Sequence, residues 1–131
     1  MNFQSLEIKN LRNISSLKFF PDEKFNFIVG ANGSGKTSIL EAIYLLGLGR
    51  SFRTHLIRRY IQHHQSKLCI YSTLKLDDQT TVPLGLEKGI RGESLVKFDG
   101  QIVQNNLELI NHIPIYLLHI KSFSFLTEGP K

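Results

Sequence analysis

The sequence predicts an α/β fold, and three adjacent features support this. A compact apolar run at residues 25–29 is typical of a buried strand. A glycine-rich loop follows at residues 30–37, and apolar residues then recur at helical spacing over residues 37–48. The apolar face of this helix is predicted to hold Ile39, Ala42, Ile43 and Leu46, and two glycines, Gly47 and Gly49, are candidate helix ends. The order of strand, loop and helix is the first unit expected of an α/β sheet.

Further strands and hairpins are predicted on both sides of this unit. In chain order they are strands at residues 3–8, 16–20, 67–76 and 80–87, a helix at residues 107–112 and a strand at residues 113–120. Asp99-Gly100 predicts a tight hairpin turn, because this dipeptide accepts the positive φ angles of a two-residue loop. The aromatic side chains that flank the first strands are expected in the core: Phe19, Phe20, Phe25 and Phe27.

The composition is that of one globular domain. The chain has 131 residues, of which 41% are hydrophobic and 21% charged. A single cysteine, Cys69, excludes an intramolecular disulfide framework and a cysteine-rich zinc site. The first residues lack the basic start and apolar core of a signal peptide, and no apolar run approaches the roughly 20 residues that cross a bilayer. We therefore expect a soluble, cytoplasmic domain with no membrane partner.

Positive charge is concentrated in one segment. The formal net charge is +5, and residues 42–76 contain no Asp or Glu. Six basic side chains fall in this window: Arg50, Arg53, Arg58, Arg59, Lys67 and Lys75. A localised basic stretch on an otherwise near-neutral chain is expected for a polyanion partner such as DNA. The alternative, which charge alone does not exclude, is that these basic residues form a solvated surface face without a partner.

The chemistry-bearing motif is the loop at residues 30–37. Its sequence, GANGSGKT, matches G-x-x-x-x-G-K-[ST] in full, and it lies between a predicted strand and a predicted helix. Glycines let successive backbone N–H groups cradle phosphates, the lysine reaches the β- and γ-phosphates, and the Thr37 hydroxyl can bind Mg²⁺. The predicted nucleotide-binding residues are Gly30, Ala31, Asn32, Gly33, Ser34, Gly35, Lys36, Thr37 and Ser38.

Hydrolysis of a nucleotide requires further groups that this sequence does not supply clearly. Such enzymes hold the metal with a carboxylate at the end of an apolar strand. The candidates, Asp77 and Asp99, each follow a run interrupted by a lysine and look like hairpin-turn residues. No catalytic residue is therefore predicted.

Three segments of the chain resemble the RecF family of ABC-type ATPases, which is related to the SMC proteins. They are LEIKNLRNI at residues 6–14, FNFIVGANGSGKTSILEAIYLLGLGRSFR at residues 25–53 and FLTEGPK at residues 125–131. The resemblance implies a P-loop NTPase fold, namely the N-terminal lobe of an ABC/SMC-like ATPase head with added antiparallel hairpins. Residues 1–131 would then form a partial head that is cut at its C-terminus, because the remaining catalytic motifs of the family lie further downstream.

The resemblance also implies a function. Members of the RecF family bind ATP and Mg²⁺, form ATP-dependent dimers, bind single-stranded and gapped DNA, and act with RecO and RecR in DNA repair, replication and the SOS response. By position, Arg12 and Asn13 would approach the nucleotide. Arg50 and Arg53 would lie on the basic loop of the family, and the predicted DNA-binding set is Arg50, Arg53, Arg58 and Arg59.

Two other functions remain open at this point. A small P-loop kinase would carry the same loop, but such enzymes continue as alternating strands and helices, whereas hairpins are predicted here. A non-catalytic nucleotide- or DNA-binding fragment is the other alternative.

Overall fold

Six strands of the described residues form one antiparallel sheet. The structure, a computed structural model, describes residues 1–30 and 35–113. The strands are β1 (Asn2–Leu11), β2 (Ile14–Phe19), β3 (Lys67–Lys75), β4 (Thr81–Gly89), β5 (Ser94–Phe98) and β6 (Gln101–Ile102). The helices are α1 (Lys36–Leu48), α2 (Ile57–Tyr60) and α3 (Asn106–His112). The strand order is β2-β1-β3-β4-β5-β6, so that the long strands β1 and β4 both flank β3.

The core lies between one face of this sheet and α1. Ile70 of β3 is paired with Ile8 of β1 and Leu86 of β4, and all three side chains are fully buried. Leu45 and Leu46 of α1 are equally buried and belong to the same cluster. Removing this apolar surface from water is the main force that holds the helix on the sheet.

The predicted hairpins are confirmed. Asp99 and Gly100 have φ angles of 52° and 81°, the two positive values that a tight turn between β5 and β6 requires. The predicted helix at residues 107–112 is also present as α3, and the Asn105 side chain accepts a hydrogen bond from the backbone N–H of Glu108 at its start (2.9 Å). The strand predicted at residues 113–120 lies outside the described residues, apart from Ile113, which follows α3.

The buried strand predicted at residues 25–29 is wrong for this structure. These residues form no strand, and the side chains of Phe20, Phe25 and Phe27 are 74%, 78% and 90% exposed instead of packed. Within the described residues no strand pairs with this segment, so an extended backbone would gain no ladder of hydrogen bonds. Local bonds replace the ladder: the Asn26 side chain accepts from the backbone N–H of Asp22 (2.7 Å) and donates to its carbonyl (3.0 Å).

The helix after the loop is confirmed, but its buried face differs from the predicted one. Ala42 and Leu46 are buried as expected, whereas Ile39 and Ile43 are only partly buried. Their place is taken by Leu45 and by two polar residues, Ser38 and Glu41. The buried face of α1 packs against loops with charged side chains as well as against the sheet. The spacing of apolar residues does not predict the part of the face that contacts these loops.

The end of α1 is set by one of the two predicted glycines. Gly49 has a φ of 72°, and its backbone N–H donates to the carbonyl of Leu45 at 2.8 Å, as in a left-handed helix cap. Gly47 lies inside the helix, so its prediction as a helix end is wrong. Ile43, one helical turn before Gly47, also lies within α1.

Candidate nucleotide-binding site

A cleft lies at the N-terminus of α1. Its volume is about 330 Å³, and it is lined by Arg12, Asn13, Gly35, Lys36, Thr37, Ser38 and Arg53. The four residues at positions 35–38 end the glycine-rich loop and begin the helix, where unpaired backbone N–H groups and the helix dipole favour an anion. The structure therefore brings the first turn of α1 together with two arginines that are distant in the sequence.

The glycine before the helix is required by its backbone conformation. Gly35 has a φ of 97°, in the left-handed region that side chains rarely adopt. A Cβ atom at this position would lie 3.5 Å from Asn13 Oδ1, which is an ordinary contact, so the backbone angle and not the space selects glycine. The roles predicted for residues 31–34 stay predictions, because these residues lie outside the described part of the chain.

The Lys36 side chain contacts the residue at which the loop starts. Its Nζ atom donates a hydrogen bond to the carbonyl oxygen of Gly30 at 2.5 Å. The ammonium group thus lies beside the start of the loop, and the next residue, Thr37, is exposed at the first turn of the helix. Both positions suit the phosphate and metal contacts predicted for these side chains.

Arg12 is presented by the turn between β1 and β2. Its backbone is left-handed (φ 51°), and its N–H donates to the carbonyl of Tyr60 at 2.8 Å. The backbone N–H of Gln62 in turn donates to the carbonyl of Asn10 at 2.8 Å, and an isolated bridge joins Leu11 to Ile61. The turn that carries Arg12 is therefore fastened to the segment that follows α2.

Sequence reasoning missed Glu41, the centre of the charged contacts here. Its side chain is fully buried on α1, and the Arg12 guanidinium donates to both carboxylate oxygens, from Nε at 2.7 Å and from Nη2 at 3.0 Å. The Ser51 hydroxyl donates to the same carboxylate, and Arg53 Nη1 lies 4.0 Å from Oε1. Burial raises the pKa of the nearby Tyr60 phenol, and the negative charge of Glu41 raises it further.

A signal for Glu41 is present in the sequence. It is the only acidic residue between positions 24 and 76, and the helix face around it is apolar except for Ser38. A lone carboxylate in that setting must be paired once it is buried, because an isolated buried charge is costly.

The four arginines predicted to bind DNA do not form one set in the structure. Arg53 lines the cleft at the N-terminus of α1, beside Glu41. Arg50 follows the end of α1, and Arg58 and Arg59 belong to α2; all three are exposed. Their binding to DNA stays a prediction, and the geometry separates Arg53 from the rest.

The two aspartates considered as metal ligands lie in turns, as the sequence predicted. Asp77 Oδ1 accepts a hydrogen bond from the N-terminal ammonium group at 2.6 Å, and Asp99 occupies the β5–β6 turn. In residues 1–30 and 35–113, no three His, Cys, Asp or Glu side chains are grouped to hold a metal ion. Neither aspartate lines the cleft.

Comparison with known proteins identifies the family. The family model of the RecF/RecN/SMC N terminal domain matches residues 2–124. The chain belongs to this family. The resemblance to RecF is confirmed by curated relatives called DNA replication and repair protein RecF: the chain is 46% identical to that of Shewanella woodyi and 44% to that of Vibrio atlanticus, over all 131 residues. It spans 36% of the length of each.

Solved structures confirm the fold expected for the family. The chain matches a structure of the recombination mediator protein RecF-ATPrS in the RecFOR pathway, with a TM-score of 0.88 and 24% identity over 98% of this chain and 35% of the other. A structure from a study of ATP-driven dimerization and DNA-stimulated activation of SMC ATPases gives a TM-score of 0.82 and 19% identity, over 97% and 91% of the two chains. The small P-loop kinase is therefore not favoured. None of the helices described is long and apolar enough to cross a membrane.

Proposed function

We propose that this chain is the ATP-binding N-terminal part of a RecF-like protein that binds DNA in recombinational repair and replication. The observation that carries the proposal is the cleft, where the first turn of α1, Lys36, Arg12 and Arg53 converge. Cationic side chains and the N–H groups of a helix N-terminus in one cleft complement the negative charge of a triphosphate.

The residues of the cleft have distinct roles in this proposal. Backbone N–H groups of residues 30–38 cradle the phosphates, Lys36 neutralises them, and Arg12 and Asn13 approach from the turn between β1 and β2. Mg²⁺ fits the donor set, because the exposed Thr37 hydroxyl is a hard oxygen ligand and this ion commonly keeps waters and substrate phosphates as its other ligands. Bound Mg²⁺ would neutralise charge that develops on the phosphates.

DNA binding is proposed for the exposed part of the basic window. Arg50, Arg58 and Arg59 are exposed and lie outside the cleft, whereas Arg53 is one of its lining residues. Similarity to RecF proteins supports single-stranded or gapped DNA as the ligand, an ATP-dependent homodimer, RecO and RecR as partners, a role in the SOS response and a cytoplasmic location. Residues 1–131 would form one lobe of the ATPase head, and no residue of this lobe is assigned a catalytic role.

The nucleotide assignment is tested by Lys36→Ala and equilibrium binding of ATP. Removing a charge-assisted hydrogen bond of about 1.5–3 kcal/mol should weaken binding by roughly ten- to a hundredfold. Lys24→Ala, which changes an exposed lysine outside the cleft, is the matched control and should bind ATP normally. Equal ATP affinity of Lys36→Ala and the unmodified protein would refute the assignment.

The DNA assignment is tested by the salt dependence of binding. Replacing Arg58 and Arg59 together by alanine should reduce the slope of log K against log [salt] by about 0.7–0.9 for each phosphate that the protein no longer neutralises. The reduction should be similar for unrelated DNA sequences, because phosphates carry no base identity. A Lys97→Ala variant, which changes an exposed lysine on β5, is the control. An unchanged slope in the double variant would show that Arg58 and Arg59 do not neutralise DNA phosphates.

A further inference from the structure

The buried carboxylate of Glu41 contacts two arginines that line the cleft. It is a charged side chain with no exposed surface, on the helix whose first turn lines the cleft. A carboxylate in such a place is destabilising unless its oxygens receive strong hydrogen bonds, and an apolar side chain of similar size would commonly be at least as stable. Stability of the core alone therefore does not explain a glutamate at this position.

Glu41 fixes the direction of the Arg12 side chain. Both of its oxygens accept from the guanidinium, at 2.7 Å from Nε and 3.0 Å from Nη2, which is the two-point contact that sets the plane of an arginine. The backbone of Arg12 is held as well, by the 2.8 Å bond to Tyr60 and in the left-handed region. A non-glycine residue in that region is strained and persists only where its surroundings enforce it.

The same carboxylate also fixes the loop at residues 51–53. The Ser51 hydroxyl donates to Glu41 and accepts from the backbone N–H of Arg53 at 3.0 Å. The Arg53 guanidinium then lies 4.0 Å from Glu41 Oε1. One negative charge therefore holds two arginines at the same cleft, and the three side chains together keep a net charge of +1 beside Lys36.

We propose that Glu41 is a positioning residue for the nucleotide: it orients Arg12 and the 51–53 loop so that both arginines face the phosphates in the cleft. The proposal rests on the proposed function, because it concerns the same cleft. It also assigns Arg53 to the nucleotide instead of to DNA.

The test is a double-mutant cycle on ATP affinity with Glu41→Gln, Arg12→Ala and both changes together, in the full protein. If Glu41 acts through Arg12, Glu41→Gln should weaken ATP binding about tenfold alone and threefold or less in the Arg12→Ala background. A purely structural role for Glu41 would give the same factor in both backgrounds, and that result would overturn the proposal. Thermal unfolding of each variant shows which ones are folded at the binding temperature.

Controls separate this proposal from the proposed function. Glu7→Gln makes the same chemical change on β1, away from the cleft, and should leave ATP affinity unaltered. If Lys36→Ala loses ATP but Glu41→Gln binds it normally, the nucleotide site stands and the positioning role falls. If the unmodified protein binds no ATP, the proposed function and this inference both fall.

A second variant keeps the test decisive if Glu41→Gln does not fold. Ser51→Ala removes only the hydroxyl that connects Glu41 to the 51–53 loop. We expect ATP affinity to drop about two- to fourfold, and expect no further drop when Ser51→Ala is added to Arg53→Ala. Unchanged affinity in Ser51→Ala would overturn the positioning of Arg53 by Glu41.

Discussion

Two regions with similar apolar content behave differently in this molecule. In β3, Leu68, Ile70 and Leu74 are buried, and the strand is paired along its length with β1 on one side and β4 on the other. The segment at residues 25–29 carries Phe25, Phe27 and Val29, which are 78%, 90% and 86% exposed, and it belongs to no strand. Apolar character is therefore common to both regions, whereas among residues 1–30 and 35–113 only β3 is paired with neighbouring strands.

The difference shows what makes an apolar run into a strand. The partner of β3 on one side, β4, follows after a short turn, so the hairpin is formed by local chain contacts. No strand among the described residues is paired with residues 25–29. The backbone there uses local bonds around Asp22 and Asn26, and the aromatic rings stay in solvent.

The largest expected effect tests this contrast directly. Leu86→Ala in β4 should lower the free energy of unfolding by about 2–5 kcal/mol, because it leaves a cavity between the sheet and α1. Phe27→Ala removes a larger side chain but should change the free energy of unfolding by about 0.5 kcal/mol or less, as expected for an exposed position. Urea unfolding of the purified protein measures both. A loss of similar size in Phe27→Ala would show that this ring is packed in solution.

A smaller effect is expected at Gly35, which lines the cleft. Gly35→Ala should cost about 1–2 kcal/mol of stability, because φ is 97° at this position. Gly92 has nearly the same φ, 92°, in a turn before β5 with open space around it. Gly92→Ala should therefore cost a similar amount but leave ATP affinity intact, whereas Gly35→Ala should weaken it. Equal ATP affinities would argue that the Gly35 backbone does not shape the cleft.

The hairpin side of the comparison is tested at the β5–β6 turn. Gly100→Ala should cost about 1 kcal/mol, since φ is 81° there and an alanine is strained in that region. Asp99→Asn keeps a side chain that tolerates positive φ and should be nearly neutral. Thermal unfolding distinguishes the two variants, and an unaffected Gly100→Ala would mean that the turn contributes nothing to the sheet.

The smallest effect concerns a lysine buried in the sheet. Burial lowers the pKa of Lys88 from its ordinary value of 10.5, so the protonated form destabilises the folded state. Lys88→Met should therefore raise stability by about 1 kcal/mol or less at pH 7. The unmodified protein binds fewer protons when folded, so its stability should rise as the pH approaches 10.5 and the advantage of Lys88→Met should shrink. Lys97→Met, which changes an exposed lysine on β5, is the control.

Local signals explain which parts of the fold could be predicted. Alternation and turn dipeptides located the β3–β4 and β5–β6 hairpins, because their partners are close in the sequence. The helix α1 followed from its spacing and from Gly49. Residues 25–29 were misassigned because a strand depends on its neighbours, which an apolar run does not specify.

Only the site residues that belong to a recognisable sequence motif could be predicted. The glycine-rich loop located Lys36 and Thr37, and resemblance to a family located Arg12 and Asn13, which do line the cleft. Glu41 was missed because its importance arises from burial and from two distant arginines, and no spacing rule connects positions 12, 41 and 53.

The bridge between Leu11 and Ile61 has a thermodynamic consequence. It ties the turn that carries Arg12 to the chain that leaves α2, through two backbone hydrogen bonds of 2.8 Å. A ligand that shifts α2 would therefore perturb the arginine at the cleft, and a ligand in the cleft would perturb α2. Any such coupling is reciprocal: the factor by which a nucleotide changes the affinity of α2 for a polyanion equals the factor by which the polyanion changes the affinity for the nucleotide.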